Sequence, residues 1–380
     1  MNTRAALVAI LVSLSILPPV ASEASGPVGI TFPPGFPTIT DASLGVPVIG
    51  FGGRGPVTRT PVIFLHGNND TPYPTTCNGG FGNTRRFAQY FHDNGYALSE
   101  LWALGYQGEQ CDLATNPPNR SGPAHSAAAN VPDLRAFVNA VLSYTGASQV
   151  DIIGHSLGST LTREWMRQDN AYAKVRRFIG VDGPDHGIIN CSPDPANYWQ
   201  LPALGGFTPD SAICTEFGSD QTPLLATLNA GDETPGPTEY MTVRNADTSF
   251  VFFSVQDGSL PPVPAKDRKG NAHDFSQSAR LEGAENVEVR AQGQYDNVLL
   301  TAHLGILNSP GVWATAFRFL TAGESPASSP SVGPEPGTLA DSGPPVWPQA
   351  AGVALLLLGL AAVRSIHRHN LTVAGHEMEA

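Results

Sequence analysis

Positive charge is scarce in this chain. Its 380 residues carry 21 Lys and Arg against 33 Asp and Glu, a formal net charge of −12. Binding nucleic acid needs a basic stripe that neutralises phosphates. No such stripe occurs, so nucleic acid is not an expected partner. Cysteine is scarce as well, and no Cys-x-x-Cys or paired-histidine spacing points to zinc. No metal or cofactor is expected. The four cysteines, Cys77, Cys111, Cys191 and Cys214, agree instead with an oxidising compartment. Cys77–Cys111 and Cys191–Cys214 are the favoured bridges, since each closes a loop-rich segment.

What is present begins with an export signal. Arg4 precedes an apolar stretch from Ala5 to Leu17, and small residues follow around Val20-Ala21-Ser22 and Ser22-Glu23-Ala24. This is the layout of a signal peptide, taken as residues 1–24. The apolar stretch is too short to span a bilayer comfortably.

Pro61-Val62-Ile63-Phe64-Leu65 is a continuous apolar run, as expected for a strand covered on both faces. A helix is expected over Arg85–His92 and a strand over Leu98–Leu104. In Val131–Tyr144, residues Leu134, Phe137, Val138, Val141 and Leu142 form one apolar helix face, with Pro132 in the first turn and Gly146 at the C-cap. A short strand at Val150–Ile153, a helix at Leu157–Arg167 and a strand at Val175–Val181 follow. Cys191–Pro237 is irregular, with Tyr198, Trp199, Leu201, Leu204 and Phe207 as a candidate apolar wall and a short helix near Pro223–Leu228. Strands are expected at Thr238–Asn245, Phe250–Val255 and Asn286–Arg290, and a last helix from Ser309-Pro310 to Leu320. Strands alternating with helices predict an α/β protein with a mostly parallel sheet and helices on both faces.

Gly154-His155-Ser156-Leu157-Gly158 is a G-x-S-x-G motif between a strand and a helix. That context places a serine hydroxyl on a sharp turn as a nucleophile, and the helix N-terminus adds positive dipole beside it. The bland alternative is a serine that merely caps the helix. A tetrahedral intermediate needs two preorganised donors. The amides of Leu157, after the nucleophile, and Asn68, in the loop after the first clear strand, are the candidates; His66 reads as a brace for that loop. In the serine–acid–histidine chain order of this motif, His303 is the expected base and His273 the reserve. Asp247 and Asp257, each after a candidate strand, are the expected acids.

These motifs resemble the class 2 lipase family, which includes small bacterial esterases and some extracellular polyhydroxyalkanoate depolymerases. The carriers are Pro61–Asn68, Gly154–Gly158, Val181-Asp182-Gly183-Pro184-Asp185-His186-Gly187, Gly231–Gly236, Gly283–Val287 and Ala302-His303-Leu304-Gly305. The resemblance implies an α/β-hydrolase fold over residues 25–322 and hydrolysis of acyl esters of a lipid or polyester without a metal. It favours Asp247 over Asp257, because Tyr240–Asp247 looks like the family's segment leading to its acid. The departure is a long loop from Asp247 to Glu282. Asp185-His186-Gly187 is taken as structural or pocket-lining. An acyltransferase with the same triad is the other enzymatic reading.

Residues 323–348 are rich in Pro, Ser and Gly and read as a linker. The apolar run Ala350–Val363, followed by Arg364, His367 and Arg368, reads as a short membrane helix over 349–364, with a tail at 365–380. Pro334-Glu335-Pro336-Gly337-Thr338-Leu339-Ala340 resembles a bacterial PEP-CTERM sorting signature. The expected location is therefore outside the cell or at its surface, tethered or released by processing.

Overall fold

The apolar run after Pro61 becomes the interior of a sheet. In the computed structural model the described residues are 36, 40–41, 46–47, 49–68, 70, 72, 84–106, 125–188, 191, 212–218, 222–245, 278–289, 303 and 305–324. In chain order the strands are β1 (Thr40–Asp41), β2 (Val46–Pro47), β3 (Ile49–Phe51), β4 (Val62–Leu65), β5 (Leu101–Leu104), β6 (Val150–His155), β7 (Val175–Val181), β8 (Glu239–Asn245) and β9 (Glu285–Val289). The helices are α1 (Arg85–Asp93), α2 (Ala127–Thr145), α3 (Leu157–Gln168), α4 (Ala212–Phe217), α5 (Pro223–Leu228) and α6 (Pro310–Thr321).

Seven strands form one sheet in the order β3-β5-β4-β6-β7-β8-β9, and β1 pairs only with β2. Edge strand β3 is antiparallel to β5, while the other six strands run parallel. A parallel sheet must be covered on both faces, and two apolar layers do this. Ile63 and Leu65 of β4 join α2 and α3 residues such as Leu134, Phe137, Leu161 and Trp165 in one cluster. Val62 and Phe64 join Phe87 and Phe91 of α1 and Val312, Ala316 and Leu320 of α6 in the other. Each such buried large side chain contributes roughly 1.5–3 kcal/mol. The chain runs from β4 out to β5, then returns to the far side of β4 as β6. This reversal puts a topological switch point at the C-terminal ends of β4 and β6, the place where open α/β sheets bind ligands.

Two expectations shift. α2 begins at Ala127 rather than Val131, so Pro132 lies inside it. The early start has a tertiary cause. Ser126 caps Ala129 N through its hydroxyl, and Glu216 of α4 accepts from Ala127 N at 2.7 Å and from the Ser126 hydroxyl. The expected strand at Leu98–Leu104 starts only at Leu101, after a single 3₁₀ turn. There the Glu100 carboxylate takes the backbone amides of Thr58, Arg59 and Ala97.

The Cys191–Cys214 bridge is formed. Cys77 and Cys111, the strand at 250–255, the apolar wall at 198–207, residues 1–24 and everything after 324 lie outside the described residues. Among the described residues no helix is long and apolar enough to cross a membrane.

Candidate active site

Ser156 sits between β6 and α3 with φ 52° and ψ −122°, a left-handed conformation that a non-glycine residue adopts only under constraint. The constraint is packing by the motif's glycines. A Cβ on Gly154 would lie 2.5 Å from the carbonyl oxygen of Gly158, and one on Gly158 would lie 2.7 Å from that of His66. Only glycine lets β6 and α3 approach this closely. The backbone amide of Ser156 bonds Val181 O at 2.9 Å, tying the turn to β7. The serine hydroxyl makes no capping bond to α3, so helix capping does not account for it.

His303 comes to the same place. Its ring centroid is 4.7 Å from that of His155, and His155 Nε2 bonds its carbonyl at 2.9 Å. Ser156 and His303 are 9% and 7% exposed, so both side chains are largely withdrawn from water. On its Nδ1 side His303 faces Asp182 Oδ2 at 3.5 Å. Asp182 follows β7 at φ 45° and is completely buried. Its amide bonds Val243 O at 2.8 Å, and its Oδ1 accepts from Asn245 N at 2.8 Å. The ends of β6, β7 and β8 are thus laced together beneath the imidazole.

A model of the class 2 lipase family matches residues 59–279, more than half of the chain. The chain belongs to the class 2 lipase family. Solved structures similar to this class 2 lipase include lipase B of Aspergillus fumigatus (17% identity, TM-score 0.43, 72% of this chain and 56% of that one). Another is the mature lipase BlEst2 of Bacillus licheniformis (17% identity, TM-score 0.44, 72% of this chain and 96% of that one). The chain therefore spans little more than half the length of the fungal lipase. No curated protein matches it.

The loop after β4 carries the other polar groups of the class 2 lipase site. A Cβ on Gly67 would meet Ser156 Cβ at 3.0 Å, so this loop crosses directly over the Ser156 turn. Asn68 follows, nearly buried, its side-chain oxygen held by His125 Nδ1 at 2.6 Å. His66 donates from Nδ1 to Gly67 O at 2.8 Å and stacks on Tyr106 at 4.1 Å. The Tyr106 hydroxyl donates to His66 O at 2.5 Å. Burial lowers the His66 pKa to about 4, leaving it a neutral brace. Asp70 lies behind Gly67, and burial raises its carboxyl pKa to about 7. His155 is held well below the usual imidazole range, first by burial and then by the nearby His303.

The structure brings together Ser156, His303, the loop at Asn68 and the first amide of α3 at Leu157. Asp247, Asp257 and His273 lie outside the described residues. Three polar residues around the site were missed in the sequence: Asp182, Asp70 and His155. Asp182 carried a usable signal, an acid at the C-terminal end of the strand beside the nucleophile's. Asp185 is a framework group, paired with Arg163 at 2.9 Å, while His186 faces Glu233 at 3.5 Å.

Proposed function

We propose that the chain is an exported serine carboxylester hydrolase acting by two-step acyl transfer. The observation that carries this reading is the strained Ser156 turn, whose hydroxyl makes no capping bond, with His303 packed on the preceding His155 and facing Asp182. In the reaction His303 Nε2 takes the proton of Ser156 as its oxygen attacks the ester carbonyl. The amides of Asn68 and Leu157 hold the oxyanion, the second at the positive end of α3. The alcohol leaves with the proton from His303. Water then attacks the acyl-serine with His303 again as base, releasing the carboxylic acid.

The acid is assigned to Asp247, two residues past the end of β8, as the family resemblance implies. Asp182, 3.5 Å from His303 Nδ1, is farther than the roughly 2.7–2.9 Å of a charge-assisted hydrogen bond. In this reading it is an auxiliary acid beside the imidazole, with Asp247 as the hydrogen-bonding partner. Export is supported by the signal-like N-terminus and the Cys191–Cys214 bridge. Tethering through 349–364 rests on sequence alone.

Short-chain p-nitrophenyl esters and tributyrin test the activity, with amorphous polyhydroxybutyrate and added alcohols separating depolymerase and acyltransferase readings. Ser156→Ala is expected to lower kcat by about 10⁴-fold or more while the fold is kept. A folded Ser156→Ala enzyme with the wild-type rate overturns the proposal.

A further inference from the structure

The residue before Ser156 in the glycine-bounded motif, His155, has a neighbour at each ring nitrogen: the carbonyl of His303 at Nε2 and the Asp70 carboxyl at Nδ1. His155 is completely buried. Its Nε2 lies 2.9 Å from the carbonyl oxygen of His303, and a carbonyl can only accept, so Nε2 carries the proton. Nδ1 is then a bare acceptor. Asp70 Oδ2 lies 3.9 Å from it. Both atoms are buried without a hydrogen-bond partner. Two unsatisfied buried polar atoms that face each other are costly unless they serve one another.

We propose that His155 is a positioning residue for the catalytic base: its Nε2–H fixes the main chain at His303, and Asp70 fixes the ring of His155 from behind. This rests on the reading of His303 as the base. His303 lies 148 residues from His155 in the chain, yet its carbonyl meets the His155 ring. The His155 bond therefore ties the base directly to the strand that carries the nucleophile. One rigid unit, the end of β6, then holds Ser156 and the backbone of His303 together. Such registration matters, because a misplacement of about 1 Å between reacting groups can cost on the order of 100-fold in rate.

Both neighbours of His155 suit this role. Asp70 has its pKa raised to about 7 by burial, so in mildly acidic solution it holds a proton that can be directed at Nδ1. His155 itself stays neutral, which avoids a second cation 4.7 Å from an imidazole that must become charged. The groups facing this ring are His303 on one side and His66 and Asp70 of the loop after β4 on the other.

The test compares two substitutions in the full chain. His155→Gln keeps an N–H near the Nε2 position, whereas His155→Leu removes it. His155→Leu is expected to lower kcat by about 10–100-fold with KM within about twofold, and His155→Gln to recover to within about fivefold of wild type. His155→Leu at wild-type kcat, or His155→Gln no better than His155→Leu, overturns the proposal. Should His155→Leu fail to fold, the tautomer decides. In ¹⁵N-histidine NMR of the wild-type protein, His155 is expected as the neutral Nε2–H form across about pH 5–8. An Nδ1–H tautomer or a charged ring in that range overturns the proposal. A folded His303→Ala enzyme with full activity would instead sink the base assignment, leaving the tautomer result unaffected.

Discussion

At the N-terminal ends of β6 and β7, Asp151 is fully buried. It accepts from Arg176 Nε at 3.0 Å and Nη2 at 2.5 Å, and from Arg177 N at 3.1 Å. Arg176 also bonds Glu324 at 3.0 Å and Leu320 O at 2.7 Å. Arg177 reaches Glu239 at 3.0 Å, Leu320 O at 2.8 Å and Ala322 O at 2.9 Å. Leu320 is in the last turn of α6 and Ala322 caps it, so the arginines satisfy carbonyls that a helix end leaves without partners. At the C-terminal ends of the same two strands the situation is reversed. Ser156 and Asp182 hold left-handed backbone, and His66 Nε2, Asn68 Nδ2, Asp70 Oδ2 and His155 Nδ1 are buried without partners. Those four are half of the eight such atoms among the described residues. The other end is not free of them, since Arg59 Nη1 and the Tyr96 hydroxyl belong to the same group. Backbone strain divides less sharply, since Asn170 (φ 48°), in the turn between α3 and β7, also holds a positive φ. One end closes the fold, and the other gathers strained backbone and unpartnered polar groups around the candidate site.

If that division holds, substitutions at the two ends should separate activity from stability. The largest effect is expected at the acid. Asp247→Asn should lower kcat by about 10³–10⁴-fold, and Asp182→Asn by only about 10–100-fold, both with melting temperatures near wild type. A larger loss in Asp182→Asn would transfer the acid's role to the end of β7. Next, Arg176→Ala should lower unfolding free energy by about 3–5 kcal/mol, since it leaves the Asp151 carboxylate buried without its main partner. Denaturant titration measures this, and kcat per folded molecule should stay at the wild-type value. A kcat that falls together with stability would break the division.

The smallest effect concerns pH. Asp70 has a folded pKa of about 7, above the ordinary carboxylate value of 3.8. The folded protein thus keeps a proton that the unfolded chain has already lost. Stability from this group is present below the unfolded value and is lost as pH rises towards 7. Asp70→Asn removes that loss. The variant's stability relative to wild type should therefore rise by roughly 2–4 kcal/mol between about pH 4 and pH 8, read from melting curves. A pH-independent difference would mean that Asp70 titrates normally.

The parts of this protein that sequence reading recovered are those specified within a short window. The run at Val62–Leu65, the apolar face of α2 and the Gly154–Gly158 turn each follow from spacing over a few residues. His303 was reached through chain order, and the structure sets it against His155. The errors have one cause. The start of α2 depends on Glu216, 89 residues from Ala127, and the delayed start of β5 on amides 41 and 42 residues from Glu100.

By itself, then, the sequence determined an alternating strand and helix pattern, a covered parallel sheet and a serine at a glycine-bounded turn. Periodicity, glycine sterics and local backbone preference act between near neighbours. Only the tertiary structure decided that Asp182 would face His303, that Asp70 would stand behind His155, and that Arg176 and Arg177 would close the far end of the sheet. Those contacts join residues brought together by strand order, and strand order is set by burying both faces of the whole sheet at once.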